Sequence, residues 1–199
     1  TRRSSDLIRT WDGLVRFDGS SWTVYNTDNS EIPSDVITAV DMDNEGVLWV
    51  GTWSGLGAFD GSDWSVYTSE NSGLPINDIS CIAIDEEGTK WIGMVDGYPG
   101  MQGGVASFDG SSWTAYDESN SGIPFNFVIS IAIDDEGTKW VATQYGLVTF
   151  NDINWTNVNC SNSGLTGEFI TALEYDSEGT IWISSNRFFS NTNPDGVVT

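Results

Sequence analysis

The stretch VITAVDMDNEGVLWVGTWSGL, residues 36–56, decides the fold of this chain. Its first part is rich in β-branched and small apolar residues, has the length of one strand and ends in the acidic turn DNEG at 43–46. The run LWVGT at 48–52 follows and is again of strand length. Asp and Gly favour the tight turns that join antiparallel strands. The stretch therefore predicts two adjacent antiparallel strands, and no segment of the chain has helical periodicity.

The same pattern recurs along the chain at a fixed period, which the tryptophans mark. One set of tryptophans follows the acidic turns at separations of 42, 49 and 42 residues, and a second set precedes the first by 27 residues. The first set is Trp49, Trp91, Trp140 and Trp182, and the second is Trp22, Trp64, Trp113 and Trp155. One unit of 42 residues is thus used four times, with a single insertion of seven residues between Trp91 and Trp113. Each unit contains four short strands, and a meander of about 40 residues has the size of a propeller blade.

The repeat predicts an all-β fold, a β-propeller built from four-stranded antiparallel blades of about 42 residues. We expect residues 1–199 to form a single propeller domain or a propeller fragment, either five-bladed or part of a larger ring. The small residues of the ITAV-type strand place it innermost, where space is tightest, and the SWTVY-type strand is then outermost. On that assignment three full blades lie between two incomplete ones. The units lie near residues 7–26, 36–68, 79–117, 128–159 and 170–199.

These units resemble the two-component regulator propeller repeat, whose consensus reads roughly I-x-x-I-x-x-D-x-x-G-x-LW-[IV]-G-T-x-x-G-L. Residues 36–56 match this pattern closely. The other units match it with substitutions: Met94 and Ser185 replace the Thr, and Ala142 and Ser184 replace the preceding Gly. Families with this repeat look like extracytoplasmic sensor regions of bacterial signalling proteins and secreted surface proteins. The resemblance therefore implies an extracellular, secreted or periplasmic location, and it carries no catalytic residue to this chain.

Composition argues against several classes of partner. The chain has 29 Asp and Glu, 7 Lys and Arg and no His, which gives a formal net charge of −22. A field of this sign repels nucleic acid and anionic membrane surfaces, so neither is expected as a partner. No apolar run approaches the roughly 20 residues of a membrane helix, so no membrane insertion is expected. The two cysteines, Cys81 and Cys160, fall on different strand types and are expected to be free thiols.

The repeating tryptophans and the acidic turns are both interpreted as structural. Each of the eight indoles buries roughly 150–250 Å² when it lies between neighbouring sheets, so we expect all eight in the core rather than on a ligand platform. The acidic turns lack the alternating spacing and the convergence of six to eight oxygens that calcium needs. We expect their carboxylates to be solvated, and we predict neither a metal nor a cofactor. These turns lie at 43–46, 85–88, 134–137 and 176–179.

The hairpins that join the second and third strands carry the candidate binding residues. Nearly every blade offers an aromatic side chain here, and binding residues tend to lie on loops held by a rigid scaffold. Aromatic faces with nearby polar side chains suit sugar rings or flexible peptides. The insertion enlarges one of these loops, although a neutral surface insertion explains it equally well. The predicted ligand-binding residues are Trp11, Trp53, Tyr98, Met101, Gln144, Tyr145, Arg187 and Phe188.

We do not predict an enzyme, and no catalytic residue is assigned. Without His, the commonest general base and a frequent metal ligand are missing, which also argues against the similar short-repeat streptogramin lyases. The arginines lie mostly near the N-terminus and do not suggest a sialidase cluster. A glycosidase with a carboxylate pair stays open, because 29 acidic residues offer many pairs and none stands out.

The sequence leaves three functions open. The first is a non-enzymatic extracytoplasmic module that recognises a glycan or a peptide through the aromatic loops. The second is a structural or self-assembling surface protein whose incomplete blades make contact between chains, since an uncapped repeat array exposes apolar surface and open strand edges. The third is the sensor part of a larger signalling receptor, which the resemblance implies.

Overall fold

The computed structural model describes residues 6–95, 103–167, 169–186 and 197–198. In this part of the chain the secondary structure is entirely β, and no helix is long and apolar enough to cross a membrane. The strands are β1 (Asp6–Thr10), β2 (Gly13–Phe17), β3 (Trp22–Tyr25), β4 (Ile37–Met42), β5 (Leu48–Thr52), β6 (Gly55–Phe59), β7 (Trp64–Tyr67), β8 (Ile79–Ile84), β9 (Lys90–Met94), β10 (Gly104–Phe108), β11 (Trp113–Tyr116), β12 (Val128–Ile133), β13 (Lys139–Thr143), β14 (Gly146–Phe150), β15 (Trp155–Val158), β16 (Phe169–Tyr175), β17 (Ile181–Asn186) and β18 (Val197–Val198).

The strands form five antiparallel sheets in chain order, and each sheet is one blade. Strands β4 to β7, β8 to β11 and β12 to β15 form four-stranded meanders, whereas β1 to β3 and β16 to β18 form three-stranded sheets. In the first sheet β1 occupies the place that β5 has in the second, so the residues described from Asp6 onward give the first sheet no inner strand. The last sheet has no outer strand among the described residues. The predicted propeller architecture, three full blades between two incomplete ones, is confirmed.

The first strand of each complete blade is the innermost one, as predicted. Strands β4, β8, β12 and β16 pack against one another in chain order. Small residues make this approach possible: Ala39 of β4 faces Gly51 of β5 across the ladder. A Cβ atom at Gly51 would lie 2.6 Å from Cγ2 of Ile79 in the next blade, so the close contact between blades requires glycine here.

Aromatic side chains fill the space between the outer halves of neighbouring blades. Trp49 of the second blade stacks on Tyr67 with ring centroids 5.8 Å apart, and it meets Phe108 of the third blade edge-on at 6.0 Å. Phe108 in turn stacks on Trp113 at 4.4 Å. Each aromatic pair of this kind stabilises the fold by about 0.5–1.5 kcal/mol beyond the contribution of the area that it buries. Because these contacts lie between blades, the spacing of the tryptophans in the sequence is the spacing of the blade interfaces. The next interface repeats the arrangement with Trp91, Tyr116, Phe150 and Trp155.

The prediction that all eight indoles belong to the core is wrong at the two end blades. Trp22 of the first blade is 61% exposed and Trp182 of the last is 42% exposed, whereas the other six are buried or half-buried. The physical reason is the missing neighbour. Trp64, the equivalent of Trp22, is covered by Tyr25 of the preceding blade at 6.0 Å, and no described blade precedes Trp22.

The acidic turns are less solvated than predicted. Asp43 accepts hydrogen bonds from the backbone N–H groups of Glu45 and Val47 at 3.1 and 2.9 Å, and from Nε1 of Trp49 at 2.9 Å. It is 8% exposed. The expectation of solvated carboxylates is therefore wrong for Asp43 and for Asp85, which is 7% exposed, because the indole between the blades needs an acceptor. The indole bond recurs in the pairs Asp85–Trp91, Asp134–Trp140 and Asp176–Trp182.

Two lysines complete the interfaces of the central blades. Nζ of Lys90 lies 3.3 Å from Oδ2 of Asp43 and 4.7 Å from the ring centroid of Trp49, both in the preceding blade. The ammonium group thus pairs with a carboxylate and an aromatic face at once. Lys139 repeats the arrangement in the next blade, where its Nζ lies 3.9 Å from Oδ2 of Asp85 and 4.8 Å from the ring centroid of Trp91. Both lysines therefore contribute to the packing between blades.

Both cysteines are free thiols, as predicted. Cys81 lies in β8 opposite Gly93, and burial raises the pKa of its thiol to about 11. Because the thiolate is the reactive form, Cys81 is inert near neutral pH. Cys160 is exposed.

Candidate binding site

The hairpins between second and third strands share one local structure. In the second blade, Oγ1 of Thr52 donates a hydrogen bond to the Gly55 carbonyl at 2.8 Å and accepts one from the Ser54 N–H at 3.1 Å. Gly55 has a φ of 132°, and a Cβ atom there would lie 2.7 Å from the carbonyl oxygen of Tyr67. These constraints fix the hairpin and leave Trp53 at its exposed tip. The same bond joins Thr10 to Gly13 and Thr143 to Gly146.

Two of the predicted binding residues come together at these tips. Trp11 of the first blade and Trp53 of the second have ring centroids 5.8 Å apart and planes at 79°, an edge-to-face pair. Trp11 is 73% exposed and Trp53 is 51% exposed. Indoles supply large contact areas at a low cost in conformational entropy, so the pair offers an apolar surface suited to a ligand.

A cleft of about 530 Å³ opens beside this pair, over the first residues of the inner strands. The volume lies within the range of small-molecule and cofactor pockets, roughly 300–1,000 Å³. Its walls come from the β1–β2 and β5–β6 hairpins and from the beginnings of β4, β8 and β12. The lining residues include Arg9, Val36, Thr38, Val95, Phe127 and Ile129.

A β-bulge near the start of each inner strand shapes the cleft. The strand pairing skips Thr38 in β4, Ser80 in β8 and Ile129 in β12, and all three bulge residues line the cleft. A bulge disrupts the ladder and re-aims the side chain of the extra residue. The Thr38 carbonyl accepts a hydrogen bond from Nη1 of Arg9. Sequence reasoning missed these residues because it placed their strands innermost and looked for binding residues only in the hairpins.

The described lining of the cleft is mostly apolar and carries one positive charge. Among the described residues that line the cleft, the one charged residue is Arg9. The chain as a whole has 29 acidic side chains. No described carboxylate lies within 4.0 Å of Arg9, since the ion pairs found in this part of the chain belong to Lys90 and Lys139. In the same wall, Oγ1 of Thr38 is shielded from solvent and has no hydrogen-bond partner among the described residues. Apart from the presence of an arginine near the hairpin, no sequence pattern indicates this arrangement.

The remaining predicted residues do not line this cleft or lie outside the described residues. Tyr145 is 54% exposed, on the hairpin of the fourth blade, and its ring packs edge-on against Phe125 with centroids 4.7 Å apart. The backbone N–H of Gln144 donates to the Phe127 carbonyl at 3.0 Å, which places this hairpin next to the cleft wall. The structure describes none of Tyr98, Met101, Arg187 and Phe188.

A second cavity of about 430 Å³ lies between the later residues of the inner strands. Two carboxylates line it, those of Asp41 and Glu174, and burial raises the pKa of Asp41. Within the described ranges, no group of three or more His, Cys, Asp or Glu side chains is arranged to hold a metal ion. The Trp11–Trp53 cleft is therefore the better candidate for ligand binding.

Comparison with known families supports the identification of the repeat. The family model for the two component regulator propeller matches residues 31–54 and 164–187, which lie in two different blades. The resemblance predicted from residues 36–56 is thereby confirmed. No curated protein sequence matches the chain significantly.

Solved structures with the same fold include both sensors and enzymes. The extracellular domain of a hybrid two-component system from B. thetaiotaomicron matches with a TM-score of 0.75 at 20% identity, over 89% of this chain and 24% of that one. PorZ, a surface component of the type-IX secretion system of Porphyromonas gingivalis, matches with a TM-score of 0.65 at 18% identity, over 89% of this chain and 29% of that one. An ancestral GH74 enzyme matches with a TM-score of 0.66 at 16% identity, over 89% and 25%. This chain thus spans less than a third of each structure, and the likeness establishes the fold alone.

Proposed function

We propose that this chain, which contains two-component regulator propeller repeats, is a non-enzymatic binding module of an extracytoplasmic bacterial protein. It recognises a glycan or a peptide at the cleft beside Trp11 and Trp53. The observation that carries the proposal is the pair of exposed, touching indoles at the rim of a cleft of about 530 Å³. Aromatic anchors beside a cleft are typical of binding surfaces.

The rigidity of the hairpins favours recognition by preformed geometry. The Thr–Gly hydrogen bonds fix both tips, and the strands behind them belong to packed blades. A ligand that binds a preformed surface does not have to order it, so more of the contact energy appears as affinity.

The chemistry of the cleft favours binding over catalysis. General acid–base catalysis needs a side chain that exchanges a proton near neutral pH. The chain has no His, and no Asp or Glu is found among the described residues that line the cleft. The guanidinium of Arg9 offers N–H donors and no acceptor, so it suits the orientation or neutralisation of an anionic ligand.

The neighbours in fold support the location. An extracellular sensor domain and a bacterial surface component share this architecture. Because this chain spans less than a third of their length, the sensor part of a larger receptor is one setting in which such a module would work.

Binding to arrays of glycans and peptides tests the proposal, followed by titration calorimetry on the ligands that bind. We expect Trp11→Ala and Trp53→Ala each to weaken binding roughly tenfold or more, because truncating an aromatic anchor of an interface costs about 1–2 kcal/mol or more. Tyr145→Ala reports whether the fourth-blade hairpin takes part.

Trp22→Ala is the matched control, because the exposed fraction of Trp22, 61%, lies between those of Trp11 and Trp53 and Trp22 is not among the residues that line the cleft. It should leave affinity unchanged in dilute solution. Equal affinity of the wild type and both cleft variants for every ligand found would show that binding occurs elsewhere.

A second candidate function is self-association, and the open face of the first blade favours it. Three apolar side chains of this sheet are exposed: Ile8 by 46%, Trp22 by 61% and Val24 by 44%. The residues at the equivalent positions of the second blade are buried or half-buried. An unpaired blade face of this kind suits contact with another chain.

A further inference from the structure

We infer that the cleft takes the carboxyl end of a peptide whose last residue is apolar. This inference rests on the proposed function and names its ligand more closely. The terminal carboxylate would meet Arg9, and the last side chain would lie against Trp11, Trp53 and the apolar wall.

Charge complementarity points to a single anionic group. The chain carries a formal charge of −22, yet the one charged residue among the described lining residues of the cleft is Arg9. The two described lysines are both buried in ion pairs between blades, whereas Arg9 is exposed and has no carboxylate partner in the described part of the chain. An acidic protein that keeps an unpaired guanidinium in an apolar cleft is suited to a ligand with one carboxylate, since a polyanion would be repelled by the rest of the surface.

The position of the guanidinium is set by the bulge. Nη1 of Arg9 donates to the Thr38 carbonyl in the bulge of β4. Arginine has five N–H donors in a planar fork, so this bond leaves others for a carboxylate, which the fork matches in geometry.

The walls of the cleft favour an apolar side chain over a sugar ring. Val36, Val95, Phe127 and Ile129 are all partly buried and line the cleft with the two indoles. A sugar in this position would place most of its hydroxyl groups against apolar side chains, and each hydroxyl group left without a partner would weaken binding. An apolar residue has no such cost. The combination of an apolar wall and one guanidinium therefore selects the end of a peptide chain.

Tetrapeptides that end in Phe, Leu, Trp or Asn, each made as the free acid and as the C-terminal amide, test the inference by titration calorimetry on the 199-residue chain. We expect the free acids with apolar ends to bind roughly tenfold to a hundredfold more tightly than their amides, since a charge-assisted hydrogen bond is lost in the amide. The peptide that ends in Asn should bind more weakly than the apolar acids.

Variants of the two described arginines make the test specific. Arg9→Gln should remove the preference for acid over amide, and Arg9→Lys should keep part of it. Arg16→Gln is the matched control, because Arg16 also lies in the first sheet but lines a different, smaller cavity. The ratio of acid to amide affinity does not depend on how much of a variant is folded, so a loss of stability in Arg9→Gln does not obscure the result.

Three results would overturn the inference: equal binding of acids and amides by the wild type, an unchanged acid preference in Arg9→Gln, or no binding of any tetrapeptide. Its failure is distinguishable from that of the proposed function. If glycans or internal peptide segments bind and Trp53→Ala weakens them while Arg9→Gln does not, the aromatic cleft stands and the carboxylate site does not.

Discussion

At the scale of single residues, the three complete blades are joined to one another by an Asp–Trp–Lys unit. Asp43 and Trp49 are bonded within the second blade, and Lys90 of the third blade reaches both. All three side chains are largely shielded from water. A buried carboxylate is tolerated when it is fully hydrogen-bonded and paired, so the unit depends on each of its members.

Lys90→Met should destabilise the protein by about 3 kcal/mol, because removing one member of a buried ion pair leaves the other charge uncompensated. Urea unfolding at pH 7 measures the change. The double variant Lys90→Met with Asp43→Asn should recover part of the loss, since Asn leaves no uncompensated charge, although its single carbonyl oxygen cannot accept both the backbone and the indole bonds. If the double variant is less stable by the sum of the two single losses, the lysine and the aspartate do not act as a pair.

The same aspartate should make stability depend on pH. Burial raises the pKa of Asp43, but bonds from the Trp49 indole and the Val47 N–H and the nearby Lys90 ammonium outweigh burial, and the pKa falls below the ordinary 3.8. A carboxyl with a lower pKa in the folded state contributes stability that is fully present above its unfolded value and lost as the pH falls through the folded value. From about pH 4 downward, the wild type should therefore lose more stability than Asp43→Asn does.

Urea unfolding at a series of pH values between about 2.5 and 6 checks this expectation. Asp12→Asn, at an exposed turn position, is the control and should follow the wild-type profile. Parallel profiles for Asp43→Asn and the wild type would contradict the assignment.

At the scale of strands, the cross-strand pair after each bulge sets how closely the blades approach. The pair is Ala39 with Gly51 in the second blade, and its counterparts are Cys81–Gly93, Ser130–Ala142 and Ala172–Ser184. In the third blade the larger residue of the pair, Cys81, lies opposite the smaller one, Gly93. A Cβ atom at Gly93 would lie 2.3 Å from Sγ of Cys81 and 2.8 Å from Cγ1 of Val128.

Gly93→Ala should destabilise the protein by about 2 kcal/mol, because overpacking a buried contact costs roughly 1–3 kcal/mol. Adding Cys81→Ser should reduce this loss, since the two changes reproduce the Ser130–Ala142 pair of the fourth blade. There the serine hydroxyl donates to the carbonyl of Leu173 in the next blade at 3.2 Å. Thermal unfolding of the two single variants and the double variant measures the coupling, and strictly additive changes would show that the thiol does not cause the clash.

At the scale of the whole molecule, the two end blades differ from the middle ones because each has one face without a neighbour in the described chain. The Trp22 ring stacks on Phe17 at 4.5 Å, and no residue that the structure describes covers it as Tyr25 covers Trp64. An exposed apolar face on a sheet is a surface for association.

Trp22→Ser should weaken any self-association of the 199-residue chain roughly tenfold or more, since buried aromatic residues contribute about 2 kcal/mol or more to an interface. Sedimentation velocity over a range of concentrations measures the effect. Ile153→Ser is the control, because Ile153 is 82% exposed but lies on an outer hairpin of the fourth blade. A wild-type chain that stays monomeric at every concentration would contradict self-association through this face.

The repeat itself could be predicted from the sequence because its causes are local. The acidic Gly turns fix the hairpins, and the period of the tryptophans reports the spacing of interfaces that each blade repeats. The exposure of the individual tryptophan side chains to solvent could not be predicted in the same way. Trp22 and Trp64 occupy equivalent positions in sequence, and a neighbouring blade covers one and not the other.

The candidate site was predictable in part. Trp11 and Trp53 could be identified because the hairpin pattern leaves their positions free of any core role, and both do lie at exposed tips. Arg9 and Thr38 could not, because they are 29 residues apart and belong to different blades. Their contact depends on a bulge that the sequence pattern does not mark.

The sequence by itself determined the strands, their order within each blade and the radial direction from small inner residues to aromatic outer ones, because turn chemistry and side-chain periodicity act over a few residues and recur in every unit. The tertiary structure alone decided which indoles stay in water, where the ion pairs close the interfaces and how the cleft is lined. Those features arise between blades, where residues distant in the chain meet, and no local pattern specifies which neighbour is present.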